Sequence, residues 1–210
     1  MPIRRSWPRR SEKRTLKPDE KAIAYCARII RRGGLVAFPT ETVYGIAANL
    51  LDRKAIDRLY KVKKRPRNKP FTIHIADEAG IKKMGCKLDK AQKALVDKFW
   101  PGPLTVILKS EDGRKLGFRM PANKVALELI SKAGVPVAAP SANLSGKAAP
   151  VSAGEVLREL GGKVDAVLDG GRAGIGVEST VVDLTVSPPK ILREGAIKRE
   201  EIAKILAFSG

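Results

Sequence analysis

The sequence is poor in the side chains on which most metal and hydrolytic sites depend. Its 210 residues include two cysteines, Cys26 and Cys86, and a single histidine, His74. Neither cysteine has a partner at metal-ligand spacing, so we expect two reduced, mostly buried thiols and no metal-binding residues. A Ser-His-Asp triad would have to be built around His74 alone. The composition therefore favours binding and alignment of anions over hydrolysis through a covalent intermediate.

Long apolar runs and known phosphate-loop motifs are also missing. No stretch approaches the roughly 20 apolar residues that span a bilayer, and the first residues are basic and polar, unlike a signal peptide. We therefore expect a cytoplasmic protein with no membrane partner. The glycine-rich run 170–176 is not followed by Lys-Ser or Lys-Thr, so it is not a P-loop. It is more typical of a turn, although its backbone N–H groups could hold an anion.

Positive charge is abundant. The chain has 41 Lys and Arg against 22 Asp and Glu, a formal net charge of +19. Such an excess favours polyanionic partners such as nucleotides or nucleic acid. Residues 1–17 are predicted to form a flexible, solvated tail, with contact to RNA as the functional alternative. Its cations are Arg4, Arg5, Arg9, Arg10, Lys13, Arg14 and Lys17.

Strand and helix patterns alternate through residues 18–210, which predicts one α/β domain. We expect an open, twisted, mixed or partly parallel sheet with helices on its faces. Ser152 followed by Glu155 predicts a capping box at the start of a helix. The other predicted elements that matter below are a helix from Pro18 to Gly33–Gly34, a helix at Arg53–Tyr60 and strands at Phe71–Ile75 and Leu116–Met120.

Candidate binding residues follow or lie on these elements. Six cations crowd residues 61–69, which on composition alone fits a solvated loop as well as a phosphate site; their place between a helix and a strand favours the phosphate site. His74 and Arg119 project from the polar faces of their strands, and a guanidinium held there can bind a carboxylate through two hydrogen bonds. Ser141 and Asn143 follow a buried strand, where ligands of open α/β sheets bind, although an ordinary turn would have the same composition.

Seven motifs, in order, resemble those of the YrdC/Sua5 family of threonylcarbamoyl-AMP synthases. The resemblance covers about residues 19–197, nearly the whole chain, and implies an open, twisted α/β sheet with a large positively charged cavity on one face. The basic extension at the N-terminus is not part of the family pattern. The motifs are Phe38–Gly45, Lys63–Pro66 with Lys69-Pro70, Phe99–Thr105, Phe118–Pro121, Ala139–Asn143, Val177–Thr180 and Leu192–Gly195.

The resemblance also implies which residues bind substrates. Around threonine it implies Thr40, Thr42, His74, Arg119, Ser141 and Ser179, with Arg119 on the carboxylate. Around ATP it implies Lys63, Arg65, Lys69, Asn143, Ser152 and Arg193, with Mg²⁺ on the phosphates. The residues that the resemblance associates with catalysis are Lys63, Arg65, Ser141 and Asn143.

The implied reaction joins L-threonine, bicarbonate or CO₂, and ATP into threonylcarbamoyl-AMP and pyrophosphate, for the t6A37 modification of tRNA. Proteins that transfer the threonylcarbamoyl group, and tRNA or RNA on the basic surface, are the expected partners. A binding module for double-stranded RNA or tRNA without catalysis is the main alternative. A hydrolase-maturation module ranks third, because the zinc-finger cysteines that accompany such domains are missing.

Overall fold

The computed structural model describes residues 14–208, which form a ten-stranded mixed sheet with seven helices. The strands are β1 Arg14–Leu16, β2 Val36–Phe38, β3 Gly45–Asn49, β4 Ile73–His74, β5 Leu104–Lys109, β6 Lys115–Arg119, β7 Val137–Ala138, β8 Ala166–Leu168, β9 Thr180–Asp183 and β10 Lys190–Arg193. The helices are α1 Glu20–Arg31, α2 Arg53–Lys63, α3 Ala79–Lys83, α4 Lys90–Phe99, α5 Lys124–Ala133, α6 Ala153–Leu160 and α7 Arg199–Phe208. None of the helices within residues 14–208 is long and apolar enough to cross a membrane.

The strand order mixes parallel and antiparallel neighbours. Across the sheet it runs β1-β8-β2-β3-β7-β4-β6-β5-β9-β10. Four neighbouring pairs are parallel: β1 with β8, β8 with β2, β4 with β6, and β5 with β9. The expected single open α/β sheet of mixed direction is confirmed.

Helices cover both faces of one half of the sheet. Alternate residues of β2, β3 and β8 pack against α1 and α5 on one face and against α2 and α6 on the other. Because both faces are dry, strands such as β3 consist of buried residues throughout. This half is the rigid support from which the loops after β2 and β8 extend.

The other half of the sheet is covered differently on its two faces. Leu104, Val106 and Phe118 belong to an apolar cluster that also contains residues of α3, α4 and α7. Their neighbours along the strands, Thr105 and Arg119, point to the opposite face because successive side chains of a strand alternate. That opposite face is polar and forms the floor of a cavity.

Two predicted features need correction. The tail was predicted to be flexible through residue 17, but Arg14–Leu16 forms β1, which pairs in parallel with β8; residues 1–13 lie outside the described part of the chain. The backbone hydrogen bonds of β8 account for this ordering. The capping box is half formed: Ser152 Oγ accepts from Glu155 N at 3.3 Å, but the Glu155 carboxylate accepts from Val151 N.

Candidate active site

A polar cavity lies on the uncovered face of the sheet and has about 550 Å³ of empty space, part of it open to solvent. Its wall combines three arginines, one carboxylate, one histidine and several hydroxyl groups. The lining residues are Thr40, Val43, Tyr44, Gly45, Arg65, Thr72, His74, Thr105, Arg119, Ala139, Pro140, Ser141, Glu178, Ser179 and Arg193.

Arg119 is a buried cation in the wall, with 5% of its surface exposed. Its Nη2 donates to Glu41 Oε1 at 2.7 Å and to Thr42 Oγ1 at 2.8 Å, and its Nε donates to the Gly102 carbonyl at 3.3 Å. Within residues 14–208, Nη1 has no hydrogen-bond acceptor. The guanidinium is therefore held rigidly while one of its amino groups stays available to an anion in the cavity.

A chain of hydroxyl groups fixes the loop after β2. Thr40 Oγ1 donates to the Val43 carbonyl at 2.6 Å and lies 2.9 Å from Thr42 Oγ1. Since a hydroxyl has one proton, Thr42 must donate to Thr40 while it accepts from Arg119. The two threonines thus orient Arg119 and the loop together, and Thr42 itself lies outside the cavity wall.

His74 lines the cavity in its neutral form. Its side chain is buried, and burial together with the nearby Arg119 charge lowers its pKa well below the usual value. Its ring lies edge-on to Phe38, with the centroids 6.0 Å apart. Nδ1 is buried without a hydrogen-bond partner in the described chain. A neutral imidazole offers one donor and one acceptor, which suits a hydroxyl or an amine better than a phosphate.

Lys63 is buried, and its ammonium group holds the loop after β7. It donates to the carbonyl of Ser141, to the carbonyl of Asn143 at 2.7 Å and to Asn143 Oδ1 at 3.2 Å. These three bonds use all three N–H donors of the ammonium. Burial is the largest cause that lowers the pKa of Lys63 to about 8, and the Arg65 charge adds to it. The expected contact of Lys63 with phosphate has no support in this geometry.

Hydrogen bonds between residues close in sequence fix the conformation of the same loop. Ser141 Oγ donates to Asn143 Oδ1 at 2.6 Å, and the Asn143 amide donates to the Lys147 carbonyl. Asn143 therefore faces Lys63 and lies outside the cavity wall, whereas Ser141 is part of the wall. The two residues after β7 thus have different surroundings, although their spacing predicts that they face the same way.

Arg65 and Arg193 supply the remaining positive charge of the wall. Arg65 Nε and Nη2 donate to the carbonyls of Lys69 and Pro70 at 2.8 and 3.0 Å, and its guanidinium lies 5.4 Å from the Phe71 ring centroid. Arg193 donates twice to the Ser179 carbonyl and pairs with Glu178 at 2.9 Å. Backbone acceptors thus fix both guanidinium groups beside the cavity before any ligand binds.

Seven of the twelve residues expected at the site line this cavity: Thr40, Arg65, His74, Arg119, Ser141, Ser179 and Arg193. Thr42, Lys63 and Asn143 lie directly behind the wall and bond to its members. Lys69 is exposed and contributes its carbonyl to Arg65, and Ser152 caps α6 away from the wall. Site roles for all twelve residues stay predictions.

Several wall residues were not among the predicted site residues. Thr105 of β5 and Thr72, which directly precedes β4, line the cavity, and Thr105 Oγ1 lies 2.8 Å from Ser179 Oγ. Tyr44 is fully buried, and its hydroxyl donates to the Gly171 carbonyl at 2.7 Å, which ties the glycine-rich run to the wall. Burial and the Asp169 charge raise the Tyr44 pKa to about 12. Alternation along residues 71–75 predicts that Thr72 shares the polar face of His74, and the same alternation along β5 could have found Thr105.

Carboxylates are scarce in the wall. Glu178 alone among its described members carries one, and one of its oxygens is paired with Arg193. Within residues 14–208 no group of three or more His, Cys, Asp and Glu side chains could hold a metal ion. Mg²⁺ is commonly bound through one or two carboxylates together with substrate phosphates, so this wall fits Mg²⁺ that arrives with a nucleotide.

The fold and the cavity define a class of protein: a mixed α/β sheet that carries preorganised arginines and hydroxyls for small anionic substrates, without a nucleophile–base pair in the described wall. A family model named Sua5/YciO/YrdC, with the description "Telomere recombination", matches residues 28–195. The chain belongs to this Sua5/YciO/YrdC family.

Named relatives agree with that family. A Pyrococcus abyssi protein called threonylcarbamoyl-AMP synthase is 45% identical over 90% of this chain and 58% of its own length. A putative threonylcarbamoyl-AMP synthase of Methanocaldococcus jannaschii is 35% identical over 88% of this chain and 91% of its own length. The chain thus spans little more than half the length of the Pyrococcus abyssi relative.

A solved structure of Pyrococcus abyssi Sua5 in complex with L-threonine has the same fold. Its TM-score is 0.85 at 44% sequence identity, over 92% of this chain and 59% of that one. The structural agreement extends across nearly the whole described chain.

Proposed function

We propose that the chain is an L-threonylcarbamoyladenylate synthase, a cytoplasmic nucleotidyltransferase. It forms threonylcarbamoyl-AMP and pyrophosphate from L-threonine, bicarbonate or CO₂, and ATP, for delivery to tRNA by threonylcarbamoyl-transfer proteins. One observation carries the proposal. A single cavity pairs a buried arginine with a free donor, suited to a carboxylate, with two further arginines suited to phosphates. Names of the relatives and the threonine complex of Sua5 support the same substrates.

Threonine fits the part of the cavity around Arg119. The free Nη1 of Arg119 would bind the substrate carboxylate, and the Ser179–Thr105 hydroxyl pair and His74 would hydrogen-bond the rest of the molecule. A neutral His74 adds no positive charge beside the substrate amine. The amine must be uncharged to attack carbon, so this environment keeps the reactive form accessible.

The reaction balances without a protein nucleophile. The threonine nitrogen bonds to the carbon of bicarbonate or CO₂ and loses a proton, or water when bicarbonate reacts, to give a carbamate. A carbamate oxygen then bonds to the α-phosphorus of ATP, and the bond from that phosphorus to the bridging oxygen breaks to release pyrophosphate. Positioning and neutralisation of charge supply the rate enhancement for such transfers.

Arg65 and Arg193 would carry the phosphate charge. Both guanidinium groups are fixed by backbone carbonyls, so little reorganisation is needed as negative charge moves to the leaving pyrophosphate. Mg²⁺ bound with ATP would neutralise further phosphate charge, and Glu178 is the carboxylate that the described wall offers to it. Lys63 and Asn143 would act by holding Ser141 in the wall.

Pyrophosphate release from Mg-ATP by the purified protein tests the proposal. Release that needs both L-threonine and bicarbonate is expected. Arg65→Ala should lower turnover by about 100-fold or more. Arg67→Ala is the matched control, because Arg67 lies on the same loop but pairs with Asp57 outside the cavity. No release under any condition, together with salt-sensitive RNA binding, would instead support a binding module without catalysis.

A further inference from the structure

A second carboxylate, that of Glu41, lies beside the cavity but behind its wall. Glu41 Oε1 accepts from Arg119 Nη2 at 2.7 Å, and 13% of the Glu41 side chain is exposed against 5% of the Arg119 side chain. Because water has little access to this pair, Coulomb interactions around it are stronger than at a protein surface. Burial lowers the pKa of Arg119, and the Glu41 charge opposes that shift. Glu41 therefore supports the charged form of the guanidinium.

The hydrogen bonds of this ion pair leave an unused atom on each partner. Arg119 Nη2 donates to Glu41 and to the Thr42 hydroxyl, which uses both of its N–H groups. Within residues 14–208, Arg119 Nη1 has no acceptor, and Glu41 Oε2 is buried without a hydrogen-bond partner. An anion in the cavity would thus bind at Nη1, with the negative charge of Glu41 on the neighbouring amino group of the same guanidinium.

Backbone hydrogen bonds hold the segment that carries Glu41. The Glu41 carbonyl accepts from Ile175 N at 2.8 Å, and the Thr42 carbonyl accepts from Gly176 N at 2.9 Å. These bonds attach the loop after β2 to the glycine-rich run, while the side chains of Glu41 and Thr42 attach it to Arg119. The carboxylate is therefore fixed at the guanidinium before any ligand binds.

The other two arginines of the wall keep more of their positive charge. Arg65 donates to backbone carbonyls and pairs with no carboxylate within residues 14–208. Arg193 is paired with Glu178, but these side chains are 43% and 38% exposed, so water and salt screen the pair. The cavity therefore has two parts that differ in charge: a nearly neutral part at Arg119 and a positive part at Arg65 and Arg193.

We propose that Glu41 is a specificity-determining residue, which reserves Arg119 for the carboxylate of an amino acid and keeps phosphate groups away from it. The assignment of threonine to the Arg119 part, and of nucleotide phosphates to the other part, rests on the proposed function. A carboxylate adds a single negative charge beside Glu41, and the ammonium of the same zwitterion offsets it. Pyrophosphate or the triphosphate of ATP adds several, so the repulsion from a poorly solvated carboxylate is much larger.

Discrimination of this kind is needed because both substrates are anions that enter one cavity. A guanidinium binds carboxylate and phosphate through the same pair of parallel hydrogen bonds, so Arg119 alone does not distinguish them. Pyrophosphate bound at Arg119 would occupy the position of threonine. A charge that repels the wrong ligand is a general source of specificity. Glu41 supplies that charge through Arg119, without lining the cavity itself.

Calorimetric titration of L-threonine into the purified protein, at increasing pyrophosphate concentration and without Mg²⁺, tests this role. The test variant is Glu41→Gln, which keeps the size of the side chain and an oxygen that can accept from Arg119 but removes the charge. The apparent Kd of threonine should rise by about 10-fold or more in this variant as pyrophosphate reaches millimolar concentration. In the unaltered protein it should rise by less than about 3-fold.

Two further variants separate the charge of Glu41 from its structural contribution. Glu178→Gln removes the same charge from the other carboxylate–arginine pair, and pyrophosphate should still change its threonine Kd by less than about 3-fold. Glu41→Asp keeps the charge and should also resist pyrophosphate, even where its shorter side chain weakens threonine binding itself. Weaker threonine binding in both Glu41 variants without any dependence on pyrophosphate would mean that Glu41 only holds Arg119 in place, which contradicts the proposal.

A measurement on the unaltered protein keeps the proposal testable if Glu41→Gln does not fold. The phosphonic acid analogue of L-threonine, a dianion at about pH 8 where the carboxylate is a monoanion, should bind at least about 10-fold more weakly than L-threonine. Equal binding of the two ligands overturns the proposal and leaves the proposed function intact. Absence of threonine binding by the unaltered protein overturns both, so the two failures are distinguishable.

Discussion

His74 shows how a single side chain takes its chemical state from the cavity. Burial first, and then the charge of Arg119, lowers the pKa of its imidazole well below the usual range. In the unfolded chain the pKa returns to about 6.5, so the unfolded state binds more protons below that pH. Stability contributed by His74 is therefore present above about pH 6.5 and is lost progressively as the pH falls.

We predict that His74 does not titrate in the folded protein between about pH 7.5 and pH 5.5. It is the only histidine in the chain, so its Cε1–H resonance in an NMR spectrum is unambiguous. The chemical shift should stay that of neutral imidazole across this interval. A midpoint near pH 6.5 would show that the ring is exposed or paired with a carboxylate, contrary to this structure.

Lys63 is a second residue whose charge depends on its surroundings. Its pKa falls from 10.5 to about 8 because the ammonium is buried, with carbonyl acceptors and no carboxylate bonded to it in the described chain. Between these two values the unfolded state binds more protons than the folded state. Stability contributed by Lys63 therefore rises as the pH increases from about 8 to 10.5 and is lowest below that interval.

We predict that this dependence disappears in Lys63→Met. The difference in free energy of unfolding between the unaltered protein and the variant should increase by about 3 kcal/mol from pH 8 to pH 10.5. Urea unfolding at a series of pH values measures it, and the other lysines cancel in the difference. Threonine-dependent turnover should also fall in the variant, since Ser141 loses its support. A pH-independent difference would place the ammonium in water.

At the scale of elements, the sequence predicts the alternating pattern and the single sheet but misses particular strands. β3 was not predicted because its residues, Gly45–Asn49, include two alanines and a glycine, which have low strand propensity. Its burial on both faces comes from tertiary packing and leaves no alternation to detect. β1 was missed because three residues beside a run of cations resemble a solvated tail.

Some residues that line the cavity could be predicted from the sequence, whereas the hydrogen bonds that support the wall from behind could not. His74 and Arg119 could be placed from alternation and chemistry, and both line the cavity. The bonds from Lys63 to Ser141 and from Arg119 to Glu41 each join residues about 78 positions apart in sequence. No local pattern specifies such pairs, so the sequence does not reveal that Arg65 lines the cavity while Lys63 lies behind its wall.

Substitution of a glycine can test how closely the segment after β10 packs against the segment before β9. A Cβ at Gly195, just after β10, would lie 2.2 Å from the Glu178 carbonyl and 2.7 Å from the Ser179 carbonyl carbon. Backbone cannot give way cheaply, so Gly195→Ala should destabilise the fold by about 2 kcal/mol or more and impair activity. Gly154→Ala in α6 meets only Arg158 Nη1 at 3.9 Å and should stabilise by about 0.5–1 kcal/mol.

Thermal and urea unfolding of both glycine variants check this contrast. Equal effects of the two substitutions would mean that the segment after β10 can move away from Glu178. Threonine-dependent pyrophosphate release by Gly154→Ala should match that of the unaltered protein, since α6 contributes no residue of its helical span to the described cavity wall.

At the scale of the whole molecule, the net charge of +19 opposes compaction. Raising the NaCl concentration from about 50 mM to about 300 mM shortens the screening length and weakens repulsion between exposed cations. We predict that the melting temperature rises over this interval. Thermal unfolding at constant pH measures it, and a constant or falling melting temperature would mean that surface ion pairs outweigh the repulsion.

The cavity wall is assembled from segments spread along the chain, from Thr40 after β2 to Arg193 on β10. During synthesis on the ribosome, the first wall residues emerge long before the last, and Arg193 also holds the Ser179 carbonyl in place. A nascent chain therefore has no complete binding site until the strand that carries Arg193 has left the exit tunnel. Ligand binding can stabilise the protein only after Arg193 has emerged, so folding before that point depends on packing within the chain itself.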